Sequence, residues 1–207
     1  MHILQHHWLQ LTSDTPIAAN IFEQILVHYQ EPQRHYHNLT HISNLLDLWE
    51  LYQPALQDAE SVAYAIFFHD IIYNPTQTDN EEQSAVLAQQ FMRELDCSPT
   101  QIATVTDYIL ATKKHPTNST PTDLQWFLEF DLSILGAALV VYQEYAQQIR
   151  QEYQHIPEWQ YKIGRRKVLQ YFLAQHQLFY CLPDSYNQNA KVNLCWELEK
   201  LKFLGLF

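Results

Sequence analysis

The 207-residue sequence contains only three glycines, and this scarcity limits the folds that it can form. Glycine-rich phosphate loops and Rossmann turns need residues that tolerate left-handed or closely approached backbone. The dipeptides typical of β-hairpins are absent, and no long stretch alternates between apolar and polar residues. We therefore expect neither a nucleotide-binding α/β fold nor a β-barrel.

Basic residues are also scarce, with 12 lysines and arginines against 23 acidic residues and a formal net charge of −11. This charge repels the phosphates of nucleic acids and anionic lipids, so neither is expected as a partner. The three cysteines form no Cys-x-x-Cys pair, which indicates reduced thiols and a cytoplasmic location. No signal peptide is recognisable, and the longest apolar run, near residues 132–141, is too short to cross a membrane.

Helical periodicity is what the sequence does contain, because apolar residues recur at three- and four-residue intervals along most of it. Two segments, Thr78–Glu81 and Ser98–Gln101, have the pattern of a capping box that starts a helix. No linker or repeat divides the chain. We predict an all-α fold of about eight helices in one domain over residues 1–207, with C-terminal helices packed on the core. The predicted helices lie at about 16–31, 39–52, 59–72, 79–95, 99–113, 124–155 (in two pieces, 124–135 and 137–155, that meet at Gly136), 157–180 and 185–204.

Histidines and aspartates in apolar surroundings are the candidates for chemistry. His69 and Asp70 are adjacent at the end of a very apolar helix, where burying a charge without a partner is costly. His41 lies upstream in RHYHNLTHI, and Asp131 lies downstream in the apolar segment LEFDLSILG. Imidazole and carboxylate groups together are usual ligands of divalent metals. The spacing therefore predicts a metal site assembled from separate helices, with open positions for water.

The order His…His-Asp…Asp in an all-α chain of this size resembles the HD-domain superfamily of metal-dependent phosphohydrolases. Further segments look like one small bacterial branch of predicted members, over about residues 8–204. The resemblance implies an HD-type helical bundle in which His41, His69, Asp70 and Asp131 bind one divalent ion, which could be Mn, Mg, Co, Ni, Fe or Zn. The segments are RHYHNLTHI, FFHDIIYNP, DNEEQSA, ILATKKH, FDLSILG, IRQEY, GRRKVL and AKVNLCWEL.

The same resemblance implies hydrolysis of a phosphate ester or anhydride in a small phosphorylated molecule, with a nucleotide as the leading candidate. A metal lowers the pKa of bound water and polarises a phosphoryl oxygen, and Asp70 would also orient the attacking water. Surface solvation is the alternative role for Arg150, and complementing a helix dipole is the alternative for one of the two lysines. The residues expected around the phosphate are Arg34, His37, Lys113, Lys114, His115 and Arg150.

One departure from the HD pattern leaves the proton donor open. Several nucleotide-cleaving HD enzymes carry an acid a few residues after His-Asp, but residues 71–74 contain none. Glu82 is the candidate proton donor, whereas Glu81 is expected to be the capping partner of Thr78. His115 is the one histidine between Asp70 and Asp131, which favours one metal ion over two.

Two other functions stay open at this point. An HD-type iron oxygenase would need further histidines, and a non-catalytic regulatory module would bind a nucleotide or metal without turnover. The sequence leaves the oligomeric state undetermined.

Overall fold

The all-α prediction is confirmed by a computed structural model, which describes residues 2–116 and 122–202. Of the described residues, 72% are helical, and no β-strand occurs among them. These ranges contain ten α-helices rather than about eight, and two 3-10 turns at Gln53–Ala55 and Ser133–Gly136. The helices are α1 (His2–Leu11), α2 (Pro16–Tyr29), α3 (Leu39–Tyr52), α4 (Ala59–Phe68), α5 (Asn80–Glu94), α6 (Pro99–Ala111), α7 (Asp123–Leu132), α8 (Leu139–Glu152), α9 (Glu158–Ala174) and α10 (Asp184–Lys200).

Helix α4 is the centre of the fold. Its sequence AESVAYAIFF is apolar on all sides, and every residue from Ser61 to Phe68 is buried. A helix without a polar face must be surrounded by protein, and α4 packs against α1, α3, α5, α6 and α7. The residues that directly follow α4 therefore lie in the interior.

Helix α4 ends at Phe68, four residues earlier than its periodicity predicted. The guanidinium of Arg34 donates hydrogen bonds to the carbonyl oxygens of Asp70, at 2.7 Å, and Ile71, at 2.9 Å. These carbonyls have a partner outside the helix, so the chain can turn here without losing buried hydrogen bonds. His69 and Asp70 consequently lie in a turn rather than in a helix.

One predicted capping box forms a cap and the other does not. Ser98 accepts a hydrogen bond from the backbone N–H of Gln101 and starts α6 as expected. The prediction of a capping box at Thr78 was wrong, because α5 begins after Asp79, whose side chain makes no capping hydrogen bond. The side chain of Asn80 instead binds the backbone N–H and carbonyl of Asn74, which fixes the loop before α5.

Two further differences have identifiable causes. Helix α9 ends at Ala174 rather than near residue 180. Beyond it, the buried carboxylate of Glu129 on α7 accepts backbone N–H groups from Tyr180, Cys181 and Leu182, so this segment is held in a non-helical conformation. Helix α1 was not predicted, and it buries Trp8, whose indole N–H donates to the carbonyl of Ala18.

Helix length and composition bear on membrane insertion. Within the described residues, no individual helix is both long and apolar enough to span a bilayer. Two consecutive segments, Asp123–Gly136 and Leu139–Glu152, meet the criterion only when taken together, and the chain bends by 100° between them.

Gly136 permits a close approach that another residue would block. A Cβ atom there would lie 2.6 Å from Tyr186 Cδ1 and 2.8 Å from Tyr186 Cα, which is backbone and cannot rotate away. We expect Gly136→Ala to lower the free energy of unfolding by about 1–3 kcal/mol, the usual cost of overpacking. Denaturant unfolding measures this.

Gly164 is the matched control, because a Cβ there meets no atom within 4 Å and the residue lies inside α9. Gly164→Ala should stabilise the protein by about 0.5–1 kcal/mol through helix propensity. Equal effects of the two substitutions would contradict the proposed packing at Gly136.

Candidate metal centre

Three helices bring the predicted ligands together. His41 lies in the first turn of α3, which begins after the capping residue Asn38. His69 and Asp70 follow the buried end of α4, and Asp131 lies in the last turn of α7. Helices α3, α4 and α7 pack against one another pairwise, so their ends meet at one point.

The ligand atoms are spaced as a single ion requires. His41 Nε2 lies 3.2 Å from His69 Nε2, and Asp131 Oδ1 lies 3.3 Å and 3.5 Å from these two nitrogens. Asp70 Oδ2 lies 3.3 Å from His69 Nε2 and 3.9 Å from His41 Nε2. Metal–ligand bonds of about 2.0–2.2 Å place neighbouring ligands roughly 3.0–3.5 Å apart. His41, His69 and Asp131 therefore form a group that could hold a metal ion, and Asp70 adjoins it.

Hydrogen bonding orients the ring of His69 for ligation. Its Nδ1 lies 3.0 Å from the carbonyl oxygen of Ile66, which can only accept, so Nδ1 carries the proton. Nε2 then presents a lone pair towards the cluster. Burial alone would lower the pKa of His69, but the carboxylates of Asp70 and Asp131 raise it to about 9. The site therefore favours a positive charge, and either a proton or a divalent ion can supply it.

His115 supports the ligand Asp131. Its Nε2 lies 2.8 Å from Asp131 Oδ2, the carboxylate oxygen that faces away from His41 and His69. Burial would raise the pKa of Asp131, yet His69, His115 and His41 hold it well below its usual range. Outer partners of this kind orient metal ligands. The structure thus places His115 beside a ligand rather than apart from the cluster, in a backbone conformation with φ of 43°.

Most hydrogen-bond donors of the Arg34 guanidinium are used within the protein and are not available to a phosphate. Its side chain is buried, and four of its five N–H donors bind Glu31 and the carbonyls of His37, Asp70 and Ile71. This guanidinium holds the turn that carries Asp70. These bonds favour a structural role for Arg34 over the expected contact with phosphate.

His37 lies at the edge of the cluster and is held by Glu152. Glu152 Oε2 lies 2.7 Å from His37 Nδ1, and Oε1 accepts the backbone N–H groups of Tyr36 and His37. Tyr73 donates its hydroxyl to the same Oε2 and stacks on the ring of His37. Burial would lower the pKa of His37, but the bond to Glu152 and the nearby charge of Asp70 raise it. The two carboxylates therefore favour the protonated form of this imidazole.

The remaining predicted residues lie on the surface. Lys113 Nζ lies 2.5 Å from Glu82 Oε1 and donates to the carbonyl of Thr78, so the expected proton donor and one expected phosphate ligand pair with each other. Lys114 is exposed. Arg150 binds Glu158 and the carbonyls of Tyr153 and Ile156 at the end of α8. No contact described for these residues reaches His41, His69 or Asp131.

Glu152 and Tyr73 are site residues that the sequence patterns did not reveal. Glu152 follows Ile149 by three positions, on the buried face of α8. An acid on an apolar stripe is a usable signal, since burying a charge requires a partner. Tyr73 carries no comparable signal.

Comparisons with protein-family models, characterised proteins and solved structures find no match to this chain. The conclusions about the metal centre therefore rest on its geometry.

Metal affinity tests the ligand assignment. Asp131→Asn keeps the shape of the side chain but removes the charge, so it should weaken Mn²⁺ binding by more than about a hundredfold. His115→Gln removes only an outer partner and should cost about 10–100-fold. Isothermal titration calorimetry measures both, with His28→Gln as a control in a half-buried histidine outside the cluster. Wild-type affinity in Asp131→Asn would refute the site.

Arg34 is expected to act through stability. Arg34→Gln leaves buried carbonyls without a donor, which costs about 1–3 kcal/mol for each of them, and the displaced turn should weaken metal binding. Arg93→Gln, which removes an exposed arginine on α5, should change unfolding by no more than about 0.5 kcal/mol. Unchanged stability and metal affinity in Arg34→Gln would overturn the structural role.

Proposed function

We propose that this protein is a metal-dependent phosphohydrolase that acts on a small phosphorylated molecule, with a nucleotide as the leading candidate. The observation that carries the proposal is the convergence of His41, His69, Asp70 and Asp131 at one point. The order of these residues along an all-α chain, which resembles the HD superfamily, supports the same reaction class.

Solvent can reach the side of the cluster where a substrate would bind. The two histidine rings are 1% exposed, whereas the side chains of Asp70 and Asp131 are 18% and 14% exposed. Two imidazoles therefore form the closed side of the site and two carboxylates border its opening. A bound divalent ion would supply an activated water and polarise a phosphoryl oxygen.

The chain's own residues have separate roles in this reaction. Asp70 and Asp131 would hold the ion at the opening, and Asp70 would also orient the attacking water through a hydrogen bond. His115 keeps the Asp131 carboxylate in place. Backbone contacts from Arg34 keep Asp70 at its position after α4.

His37, whose pKa is raised by Glu152 and Asp70, would supply positive charge in the proposed reaction. Its side chain is 22% exposed, and Glu152 and Tyr73 fix its orientation. Positive charge near a phosphoryl group stabilises the charge that develops during transfer. Glu82 stays a second candidate for the proton-donating role, although its carboxylate is paired with Lys113.

Release of phosphate and pyrophosphate tests the proposal. Phosphorylated metabolites, including nucleoside mono-, di- and triphosphates, are screened with Mn²⁺, Mg²⁺, Co²⁺ or Ni²⁺ added singly. Turnover should require a metal and should vanish in Asp70→Asn. His37→Gln should retain the metal but slow turnover by about 10²–10⁴-fold if the imidazole takes part in proton transfer, while Glu82→Gln should not.

Other results would indicate a different proton donor or a different function. If Glu82→Gln slows turnover and His37→Gln does not, the proton donor is Glu82. Oxygen consumption with bound iron would indicate an oxygenase instead. Metal binding with no turnover on any phosphorylated compound would indicate a regulatory module and refute the proposed activity.

A further inference from the structure

A cleft of about 550 Å³ is lined by Tyr73 and Glu152, the two residues that hold His37. Three parts of the chain border it: the end of α2 with the residues after it, the loop before α5 with the start of α5, and the end of α8 with the residues after it. The volume is within the range of about 300–1,000 Å³ that small-molecule sites occupy.

The cleft lies close to the metal centre. Tyr73 stacks on His37 with ring centroids 4.3 Å apart, and the ring of His37 lies 5.9 Å from that of the candidate ligand His41. The loop that lines the cleft also continues the turn that carries Asp70. Two ring contacts thus separate the cleft from a candidate metal ligand, a span that the sugar and base of a nucleotide match.

Hydrogen bonds fix the loop in the wall of the cleft. Asn80 binds the backbone N–H and carbonyl of Asn74, whose side-chain oxygen accepts from the N–H and hydroxyl of Thr76. The hydroxyl of Ser84 accepts the N–H of Ile72. A wall that is already ordered lowers the entropic cost of binding a ligand.

The charges around the cleft favour an uncharged occupant. None of the described lysines or arginines lines it, so a phosphate is disfavoured there. The acid Glu31 is paired with Arg34. The acid Glu152 is paired with His37. Burial lowers the pKa of His28, so this lining residue is neutral near pH 7.

Two lining glutamines form a hydrogen-bonded pair of amides. Gln83 on α5 donates its Nε2 to Oε1 of Gln77 over 3.0 Å. The described contacts leave the amide donors of Gln77 and the amide oxygen of Gln83 unused. Both residues are exposed, so a ligand can reach these groups. The pair keeps one donor and one acceptor whichever amide donates to the other.

Apolar side chains provide a surface for a flat ring beside these amides. Ile72, Tyr73 and Pro75 line the same cleft. Nucleobases carry a donor and an acceptor side by side on one edge of a flat ring, and glutamine amides bind such edges. The cleft therefore combines the features that recognise a base.

We propose that this cleft binds the nucleoside part of the substrate, with the edge of the base on the amides of Gln77 and Gln83. The inference rests on the proposed function, because it assumes that the phosphoryl group lies at the metal centre. It narrows the substrate from a small phosphorylated molecule to a nucleotide.

Nucleosides without phosphate separate binding in the cleft from reaction at the metal. Calorimetry measures the affinity of adenosine, guanosine, cytidine and uridine for protein freed of metal and for protein with Mn²⁺. At least one nucleoside should bind in both forms, because none of the candidate metal ligands lines the cleft. Its 5′-monophosphate should compete with it. Methylation of the donor on its base edge should weaken binding about 2–10-fold, the value of one uncharged hydrogen bond.

One matched pair of variants tests the amides. Gln83→Leu removes the amide pair, whereas Gln90→Leu removes an exposed glutamine further along the same helix, where it binds Glu94. Gln83→Leu should weaken binding of the nucleoside and of its monophosphate by the same factor of about 2–10, with Mn²⁺ affinity unchanged. Gln90→Leu should behave as the wild type.

A second matched pair tests the location. Thr76→Trp fills the cleft from an exposed lining position, whereas Thr78→Trp adds the same bulk at an exposed position outside the lining. Thr76→Trp should abolish nucleoside binding, and Thr78→Trp should not. Gln154→Trp, which fills the cleft from the end of α8, replaces Thr76→Trp if that variant does not fold.

Four results would overturn the inference. They are no binding of any nucleoside up to about 10 mM, where an interaction is too weak to be specific, wild-type binding in the filled variant, wild-type binding in Gln83→Leu, and no competition by the monophosphate. The proposed activity fails separately. Nucleoside binding in the cleft without any turnover would refute the phosphohydrolase alone, and metal-dependent turnover without nucleoside binding would refute the cleft alone.

Discussion

The end of helix α4 is the point on which the rest of the site depends. A buried turn at the end of a helix leaves backbone carbonyls that must find donors, and water cannot supply them in the interior. Arg34 supplies them from the loop after α2 by binding the carbonyls of Asp70 and Ile71. The same guanidinium binds the carbonyl of His37, so a single side chain ties the two histidine-containing segments together.

Buried acids hold the second half of the chain in the same way. Glu152 on α8 binds the backbone at Tyr36 and His37, and Glu129 on α7 binds the segment before α10. On α10, Glu197 forms a buried two-bond pair with Arg165 of α9. Each carboxylate is matched by several donors, which offsets the cost of removing its charge from water. The C-terminal helices are therefore attached to the site by polar contacts as well as by apolar packing.

A series of aromatic contacts connects the C-terminal helices to His41 in the candidate site. Arg165 lies over the ring of Tyr145, which contacts Tyr36, and Tyr36 in turn packs against His41. One face of His41 is thus set by residues from α8 and α9.

The helices and the clustered histidines and aspartates were predictable from the sequence for physical reasons. Apolar periodicity identifies helices because one face of each must be buried, and α3 was predicted with its observed bounds. His69-Asp70 and Asp131 stood out because polar groups in apolar segments require partners. The predicted helix ends were less accurate where a distant side chain binds the backbone. Arg34 does so after α4, and Glu129 does so after α9.

The roles of the charged residues were decided by the tertiary structure alone. Arg34, His115 and Glu82 are all polar residues close in sequence to segments of the candidate site, and nothing in their spacing distinguishes a substrate contact from a structural one. Arg34 binds backbone carbonyls, His115 binds Asp131, and Glu82 binds Lys113. Glu152 lies more than a hundred residues from His37 in sequence and still holds it. Periodicity determines which residues are buried, but which donor meets which acceptor depends on how the helices pack, and that packing was not contained in any local pattern.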